Sequence, residues 1–146
     1  MVFDKNEVNR KIRAIALEVF PEFNPSYWSS HDYSNGDLLV VGILDPLYNS
    51  RYSFVINRDY GISYNGDILI DPDQRSNGYA RRLVDACEKI SLNLGAHLII
   101  VNNNINSSFW EHLQYDPLPK SLERFLARNF RHVPCIKPLY KLLSEA

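Results

Sequence analysis

The stretch DILIDPDQRSNGYARRLVDACEKISLNL, residues 67–94, predicts a strand, a polar loop and a helix, in that order. Its short apolar run at residues 68–70 ends at Pro72, because proline cannot donate a hydrogen bond to a sheet. Gly78 lies near the end of the loop, and Gly95 stands where a helix usually terminates. Between them, apolar residues recur at helical spacing: Leu83, Val84, Cys87, Ile90 and Leu94. The start of such a helix has unpaired backbone N–H groups and can bind an anion such as phosphate.

The loop itself contains Arg75-x-x-Gly78-x-Ala80. It resembles the coenzyme A loop of the GNAT superfamily of N-acetyltransferases, whose pattern is Gln/Arg-x-x-Gly-x-Gly/Ala after a strand. The competing phosphate motifs Gly-x-Gly-x-x-Gly and Gly-Lys-Ser/Thr do not occur in the sequence. The resemblance implies that the loop holds the pyrophosphate of acetyl-coenzyme A through its backbone amides, with these residues: Arg75, Ser76, Asn77, Gly78, Tyr79 and Ala80.

A second segment, NNINSSFWEHLQY at residues 103–115, is similar to another motif of the same superfamily. That motif is Asn-x-x-Ala-x-x-Leu/Phe-Tyr-x-x-x-Gly-Phe. Aligned without gaps, it implies four residues on the coenzyme side: Asn103, Asn106, Phe109 and Trp110. Gln114 takes the place of the glycine and Tyr115 that of the phenylalanine. Trp110 replaces a tyrosine that often protonates the leaving thiolate, which an indole cannot do.

The resemblance also implies the chemistry. The backbone N–H near Leu69 or Ile70 would polarise the thioester carbonyl while an amine attacks it directly. Asp67, at the start of that strand, is the expected general base, since an alkyl amine is mostly protonated at neutral pH; a turn-flanking carboxylate beside Asn65-Gly66 is the alternative. Tyr115 is the expected general acid, with His112 as the next candidate. Tyr115 could instead fill the core place of the family's phenylalanine, with water as the acid.

The bulk composition fits one soluble domain spanning residues 1–146, with 45% hydrophobic and 23% charged residues. Residues 1–74 hold 6 basic and 11 acidic residues, and residues 117–146 hold 6 and 2. An acidic half beside a phosphate loop suits a cationic acceptor, but a solvated surface explains the gradient almost as well. Cys87 and Cys135 are expected to be reduced thiols. Without a signal-peptide pattern or a long apolar run, the sequence predicts a cytoplasmic protein with no membrane segment.

The order of elements predicts an α/β (α+β) fold with a mixed, mostly antiparallel sheet and flanking helices. A helix comes first, with the stripe Val8, Ile12, Ile15 and Val19. Strands are predicted at 37–44, 51–57, 67–71 and 97–102, and the last two are expected to be parallel and to splay apart, as in the resembled fold. Between 57 and 67, Asn65-Gly66 suggests a hairpin with a small extra strand at 62–64, whereas the resemblance runs one strand almost directly into the next.

The resemblance is clear over residues 37–116. The segment at 117–146 is atypical: a helix over SLERFLARNF, then an edge strand or irregular tail with two prolines. Before residue 37, the turn-rich segment NPSYWSSHDYSNG contains three large aromatic residues that either cover the core or contact the acceptor: Tyr27, Trp28 and Tyr33.

Three functions remain open on the sequence. The leading one is transfer of the acetyl group from acetyl-coenzyme A to a primary amine of a small molecule or a protein. The second is a coenzyme A-binding regulatory domain without catalysis. The third is an interaction module that uses the basic tail on nucleic acid, although a solvated face is the favoured interpretation of that tail. The four histidines form no metal pattern, no acyl-enzyme is expected, and an open sheet edge leaves a homodimer as an alternative to a monomer.

Overall fold

The computed structural model describes residues 5–19, 28–33, 38–45, 50–69, 79–102, 107–129 and 138–144. The helices are α1 (Lys5–Val19), α2 (Tyr79–Asn93), α3 (Ser107–His112) and α4 (Lys120–Asn129). The strands are β1 (Trp28–Tyr33), β2 (Leu38–Asp45), β3 (Ser50–Asn57), β4 (Ile62–Leu69), β5 (Leu98–Asn102), β6 (Asp116–Pro117) and β7 (Pro138–Leu142).

These strands form one sheet in the order β1-β2-β3-β4-β5-β7-β6. β4 and β5 pair in parallel, and the other neighbouring strands pair antiparallel. The predicted mixed, mostly antiparallel sheet with one parallel pair is therefore confirmed. The parallel pair is connected through α2, because parallel neighbours need a crossover rather than a tight turn.

Helices cover both faces of the sheet. On one face, the first three helices pack against inward side chains of β3 and β5 such as Phe54, Ile99 and Val101. On the other face, Ile62 and Ile100 pack with Leu118, and Leu122 of α4 lies against them. Alternate residues of β5 thus serve opposite cores, as the period of two along a strand requires.

The two longer helices of the first face follow their predicted stripes. In α1, Val8 and Ile12 are buried, while Ile15 and Val19 are partly buried against the same core. In α2, the predicted apolar residues Leu83, Val84, Cys87, Ile90 and Leu94 are all buried. The helix ends as predicted at Gly95, whose φ of 104° few other residues adopt at low cost.

The turn-rich segment before β2 is not all loop, contrary to its expected structure. Residues 28–33 form β1, which pairs with β2 from Trp28↔Ile43 to Tyr33↔Leu38. β1 is the first strand of the sheet and needs a partner on one side alone, so the strongly apolar β2 can hold a polar segment in extended conformation. The prediction failed because cross-strand pairing overrides local turn composition.

The Asn65-Gly66 signal marks a bulge rather than a hairpin. β4 runs unbroken across it, and its register with β3 shifts between Tyr52↔Ile68 and Phe54↔Asn65. Two steps along β3 therefore face three along β4, which is the pattern of a β-bulge. The β3–β4 turn lies earlier: Gly61 has a φ of 67°, and the backbone N–H of Tyr60 donates to Oδ1 of Asn57 at 3.2 Å.

The C-terminal part follows its prediction in the helix and departs from it in the strand. α4 forms as expected over Lys120–Asn129. β7 is not at the edge, because it lies between β5 and the two-residue β6. Pro138 is tolerated there as the first residue of the strand, where a missing N–H disrupts the ladder least.

Candidate functional site

The parallel pair β4–β5 has two different ends. At the end we call the closed end, the backbone O of Gly61 accepts hydrogen bonds from the N–H groups of His97 at 2.7 Å and Leu98 at 3.3 Å. One row further along, Ser91 of α2 donates to Ser63 of β4 at 3.0 Å, and both serines are fully buried. Strands and helix are therefore joined tightly at this end.

At the other end, which we call the open end, the two strands stop pairing. Within the part of the chain that the structure describes, their register ends at Asn65↔Val101, although β4 continues to Leu69. The bulge lies at this same point and bends β4 where the pairing stops. Among the described residues, the backbone N–H and C=O groups of residues 66–69 thus have no partner on β5, and an extended ligand can bind such groups.

The start of α2 lies in sequence directly after the predicted coenzyme loop. α2 begins at Tyr79, one residue after Gly78, and has no acidic residue in its first turn. A helix start of this kind attracts anions through its free N–H groups and dipole. Arg81 is exposed. Arg82 is half-buried, and its Nη2 donates to the backbone O of Val19 at 2.9 Å.

The end of α3 has a backbone conformation that favours glycine at the place where the second motif has one. Gln114 has a φ of 69°, in the left-handed region that favours glycine. The N–H groups of Gln114 and Tyr115 donate to the O atoms of Glu111 and Trp110, both at 3.0 Å. This pair of bonds is a Schellman motif. The ungapped alignment thus places a non-glycine residue at a position whose backbone conformation glycine adopts most easily.

Trp110 is a core residue. It is 3% exposed, and its ring lies 5.0 Å from the rings of both Phe109 and Tyr115, each in an edge-on arrangement. Its indole Nε1 is buried without an acceptor among the described residues. A buried donor without a partner costs free energy that the aromatic packing must offset.

Tyr115 lies beside Trp110 and is tied to an ion pair. It is 1% exposed, and its hydroxyl donates to Oε2 of Glu88 at 2.9 Å, while Lys141 Nζ donates to Oε1 of the same carboxylate at 2.9 Å. Burial, together with the nearby Glu88 carboxylate, raises the pKa of the Tyr115 phenol far above its usual range. Tyr115 is therefore a neutral hydrogen-bond donor at neutral pH, which fits the alternative that it occupies a core place.

Glu88 and Lys141 also line a cavity of about 400 Å³ between α2, the end of α3 and β7. The rest of its wall includes Arg81, Arg82 and Gln114. Sequence reasoning missed Glu88 and Lys141, because each looks like a solvated charge in its own segment and they are 53 residues apart. Their contact depends on β7 lying next to β5, which no local pattern reveals.

Some of the remaining predicted site residues lie within the described residues, and others lie outside them. Asp67 lies at the bulge of β4 and Leu69 at its end, while Trp28 and Tyr33 are the first and last residues of β1. Tyr79 and Ala80 form the start of α2. The other predicted residues lie outside the described residues: Tyr27, Ile70, Arg75, Ser76, Asn77, Gly78, Asn103 and Asn106.

The described residues offer neither a metal site nor a membrane-spanning helix. Among the described residues, no group of three or more histidine, cysteine, aspartate or glutamate side chains could hold a metal ion. In the same part of the chain, no helix is both long and apolar enough to cross a membrane.

Comparison with known proteins identifies the family. The family model "Acetyltransferase (GNAT) family" matches residues 8–115. Among solved structures, GCN5 from Tetrahymena is similar with a TM-score of 0.60 and 8% identity, over 97% of this chain and 91% of that one. A GNAT acetyltransferase from Staphylococcus aureus Mu50 has a TM-score of 0.55 and 13% identity, over 99% and 98%.

The structure of N-acetylglutamate synthase from Neisseria gonorrhoeae, complexed with coenzyme A and L-arginine, is similar with a TM-score of 0.54 and 12% identity. That similarity covers 93% of this chain and 32% of the synthase. No curated protein matches the sequence. Since the family model covers more than half of the sequence and the fold agrees, the chain belongs to the GNAT family of acetyltransferases.

Proposed function

We propose that this protein is an N-acetyltransferase that transfers the acetyl group of acetyl-coenzyme A to a primary amine. The observation that supports this most directly is the open end of β4–β5, where the described strand pairing stops ahead, in the sequence, of the predicted loop and the start of α2. A GNAT protein that has both an unpaired strand edge and a helix start has the two features that an extended thioester with a pyrophosphate needs.

The chain's own residues fit such a cofactor at three points. Residues 75–80 would bind the pyrophosphate, the backbone around Leu69 and Ile70 would bind along the pantetheine arm, and four residues would border the thiol end: Asn103, Asn106, Phe109 and Trp110. Acetyl-coenzyme A, when bound, supplies an acetyl thioester that a neutral amine can attack. An N–H group of the β4 edge directed at the thioester carbonyl would stabilise the negative charge that develops on its oxygen.

Asp67 is the proposed general base. A primary amine has a pKa of about 10.4 and is almost entirely protonated at neutral pH, so it must lose a proton before it attacks. Asp67 lies at the bulge of β4, beside the open end. Bulges commonly re-aim side chains next to active sites, which supports this residue over the other carboxylates of the strands.

The general acid, which returns a proton to the departing thiolate, has less support than the general base. Trp110 has no titratable hydrogen in this range. Tyr115 is retained as the proposed acid from the sequence, but its burial and its bond to Glu88 support the alternative that solvent water serves instead. For the acceptor, Tyr27, Trp28 and Tyr33 are proposed contacts. We place this chemistry in the cytoplasm, on a small-molecule amine or a protein amino group.

The test is coenzyme A release across a panel of amines, measured with Asp67→Asn. We expect the variant to lose about 100-fold in rate at neutral pH, to recover part of it as the pH approaches the pKa of the amine, and to keep its affinity for acetyl-coenzyme A. Asp59→Asn, which removes an exposed carboxylate from the β3–β4 turn, is the matched control and should behave as wild type. Equal rates for the two variants would contradict the role of Asp67.

A second candidate function is a coenzyme A-binding domain that regulates a partner without catalysis. The observation in its favour is Trp110, a buried indole at the place of the family's acidic tyrosine. Binding of acetyl-coenzyme A without thiol release for any amine in the panel would favour it. Acetylation of even one amine above the rate of an Asp67→Asn sample would exclude it.

A further inference from the structure

The outer side of α4 has a row of three positive charges, which we call the basic stripe. Lys120, Arg124 and Arg128 are exposed and follow one another at intervals of four residues. Four residues are close to one helical turn, so the three side chains lie in one line with about 6 Å of helix between neighbours. Within the part of the chain that the structure describes, none of the three forms an ion pair with a carboxylate.

The basic stripe does not stabilise its own helix. Like charges four residues apart repel each other, and α4 has two such pairs in succession. The two other long helices instead place an acidic residue four positions before a lysine. In α1, Glu7 pairs with Lys11 at 3.7 Å, and in α2, Asp85 pairs with Lys89 at 3.4 Å. Helix stability therefore does not explain the basic stripe, whereas an acidic partner would remove its repulsion.

An aromatic pair borders the basic stripe. Phe125 follows Arg124 in the helix and is 37% exposed, and Tyr60 of the β3–β4 turn is 50% exposed. Their rings are 5.7 Å apart in an edge-on arrangement, so they form one apolar surface rather than two separate ones. The N–H of Tyr60 donates to Oδ1 of Asn57 at 3.2 Å, which fixes the turn that holds the ring. A ring that is already held in place loses little conformational freedom on binding.

This surface is separate from the core and from the proposed cofactor site. Leu122 packs against the apolar core on its side of the sheet. Arg124 follows two positions later and lies on nearly the opposite side of the helix, so a partner can bind there without displacing α4. Tyr60 lies in the turn before the closed end. The part of β4 that pairs with β5, Ile62 to Asn65, separates this turn from the open end by about 10 Å.

A row of cations beside exposed aromatic rings fits an acidic amphipathic helix. Carboxylates at every fourth position of such a helix repeat at about 6 Å, as the cations of α4 do. An apolar side chain next to them can pack on Phe125 and Tyr60, and apolar contacts surrounded by polar ones are typical of protein interfaces. A nucleic-acid strand fits less well. Asp59 is exposed next to Tyr60, and its carboxylate would repel the phosphates of a strand whose base stacks on that ring.

We propose that the basic stripe and the Tyr60–Phe125 pair form a docking surface for an acidic amphipathic helix of a partner protein. The carboxylates of the partner pair with the three cations, and its apolar side chains pack on the two rings. α4 has 10 residues and a length of about 15 Å, so the contact is small and the complex is transient, with micromolar affinity. The inference goes beyond the proposed function and does not depend on it.

The experiment measures binding of the full chain to a fluorescein-labelled peptide by fluorescence anisotropy at low salt. The peptide is a designed helix with glutamate at every fourth position and phenylalanine beside each glutamate. A second peptide has lysine in place of each glutamate. Wild type should bind the glutamate peptide with micromolar affinity and the lysine peptide at least about 10-fold more weakly. Wild type that does not bind the glutamate peptide, or binds both peptides equally, overturns the proposal.

Arg124→Glu separates docking from stability. Residue 124 lies four positions from both Lys120 and Arg128, so the variant replaces two repulsive pairs by two attractive ones and should raise the melting temperature. Its affinity for the glutamate peptide should nevertheless fall at least about 10-fold. Arg13→Glu makes the same charge change at an exposed position of α1 and should bind the peptide as wild type does. Equal affinities for the two variants would overturn the proposal.

Two further variants test the charges and the rings separately. The triple variant Lys120→Glu/Arg124→Glu/Arg128→Glu should reverse the preference and bind the lysine peptide more tightly than the glutamate peptide. Phe125→Ala should weaken binding of the glutamate peptide about 10-fold, because the apolar contact is lost. Leu17→Ala, at a residue of α1 that is 45% exposed, is the matched control and should bind normally. An unchanged preference in the triple variant would contradict recognition by charge.

Labelled oligo(dT) tests the other class of partner. We expect it to bind wild type more weakly than the glutamate peptide does. Tighter binding of oligo(dT) that is lost in Arg124→Glu would overturn the proposal in favour of nucleic acid. Acetyl-coenzyme A should bind wild type and Arg124→Glu equally, because the open end is unchanged. Failure of peptide binding therefore leaves the proposed function standing, and failure of acetyl-coenzyme A binding leaves the docking surface standing.

Discussion

The two ends of the β4–β5 pair differ in the partners of their backbone N–H and C=O groups. At the closed end, the O of Gly61 accepts bonds from His97 and Leu98. Beside it, Ser63, Ile99 and Lys141 lie in one row across three strands, and α2 is bonded to that row twice, through Ser91 to Ser63 and through Glu88 to Lys141. At the open end, the last pair among the described residues is Asn65↔Val101, and β4 continues beyond it to Leu69.

The difference shows how one strand can serve both the fold and a site. At the closed end, backbone and side-chain groups of the strands are hydrogen-bonded, and these bonds fix the strand register and the position of α2. At the open end, backbone groups of β4 have no partner on β5 among the described residues, and the bulge shifts the register of β4 with β3 at the point where the parallel pairing ends. We therefore expect substitutions at the closed end to change stability alone, and substitutions at the open end to change binding alone.

The largest effect is expected at the open end, from Gly78→Asp. A carboxylate at this place adds bulk and negative charge where a pyrophosphate would bind, so affinity for acetyl-coenzyme A should fall at least about 100-fold, or about 2.7 kcal/mol. The melting temperature should stay within a degree or two of wild type. Ser144→Asp, an exposed site near the C-terminus, controls for the added charge and should bind normally. A folded Gly78→Asp protein with wild-type affinity would refute the loop assignment.

The next effect is expected at the closed end, from Gly61→Ala. The residue has a φ of 67°, and an added Cβ would lie 3.3 Å from the O of Gly95 and 3.4 Å from Cδ2 of His97. Left-handed strain and this close contact should lower the free energy of unfolding by about 2 kcal/mol. Denaturant titration measures the loss, and the affinity for acetyl-coenzyme A should not change.

Gly61→Asn identifies which of the two costs dominates. Asparagine tolerates the left-handed region but has the same Cβ as alanine, so it relieves the backbone strain and keeps the close contact. If Gly61→Asn recovers about half of the stability that Gly61→Ala loses, that half is due to backbone strain. A loss of affinity in either variant, with the fold intact, would break the separation between the ends.

A smaller effect is expected from Ser91→Ala, also at the closed end. The substitution leaves the buried hydroxyl of Ser63 without its partner, which should cost about 1.5 kcal/mol. The double variant Ser63→Ala/Ser91→Ala leaves no orphaned group, so it should be more stable than the sum of the two single losses predicts. Additive losses in this double-mutant cycle would show that the bond does not join α2 to β4.

The smallest effect concerns pH at Tyr115, whose hydroxyl donates to the same Glu88 carboxylate that bonds Lys141. Burial raises the pKa of Tyr115 above its usual value of 10.0, so the folded state keeps the phenol proton while the unfolded chain loses it in alkaline solution. Stability is therefore unaffected below that value and falls as the pH rises beyond it, by about 0.8 kcal/mol at about pH 10.5. Tyr115→Phe should lack this component in denaturant titrations across the range. An identical pH dependence in both proteins would contradict the burial of a neutral phenol.

The parts of the fold that the sequence predicted are those with a strong local signal. The apolar stripe of α2 and the helix end at Gly95 could be predicted, because 3.6-residue periodicity and a glycine at a left-handed helix end are both visible within a single segment. The loop pattern around Gly78 and the spacing of the second motif identified the family in the same local way.

The parts that the sequence did not predict depend on strand order. β1 is polar and becomes a strand because β2 offers it an edge. Asn65-Gly66 suits a hairpin or a bulge equally well by composition, and the register with β3 decides between them. Glu88 and Lys141 meet because β7 lies between β5 and β6, so the cavity that they line could not be anticipated from either segment.

The central claim is that the open end and the loop before α2 form an acetyl-coenzyme A site. Calorimetric titration of the purified protein with acetyl-coenzyme A, beside free coenzyme A, tests it most directly. The account predicts micromolar binding of both, on the order of -8 kcal/mol, with one ligand per chain. If neither ligand gives a heat of binding, although the protein unfolds cooperatively, the account is contradicted.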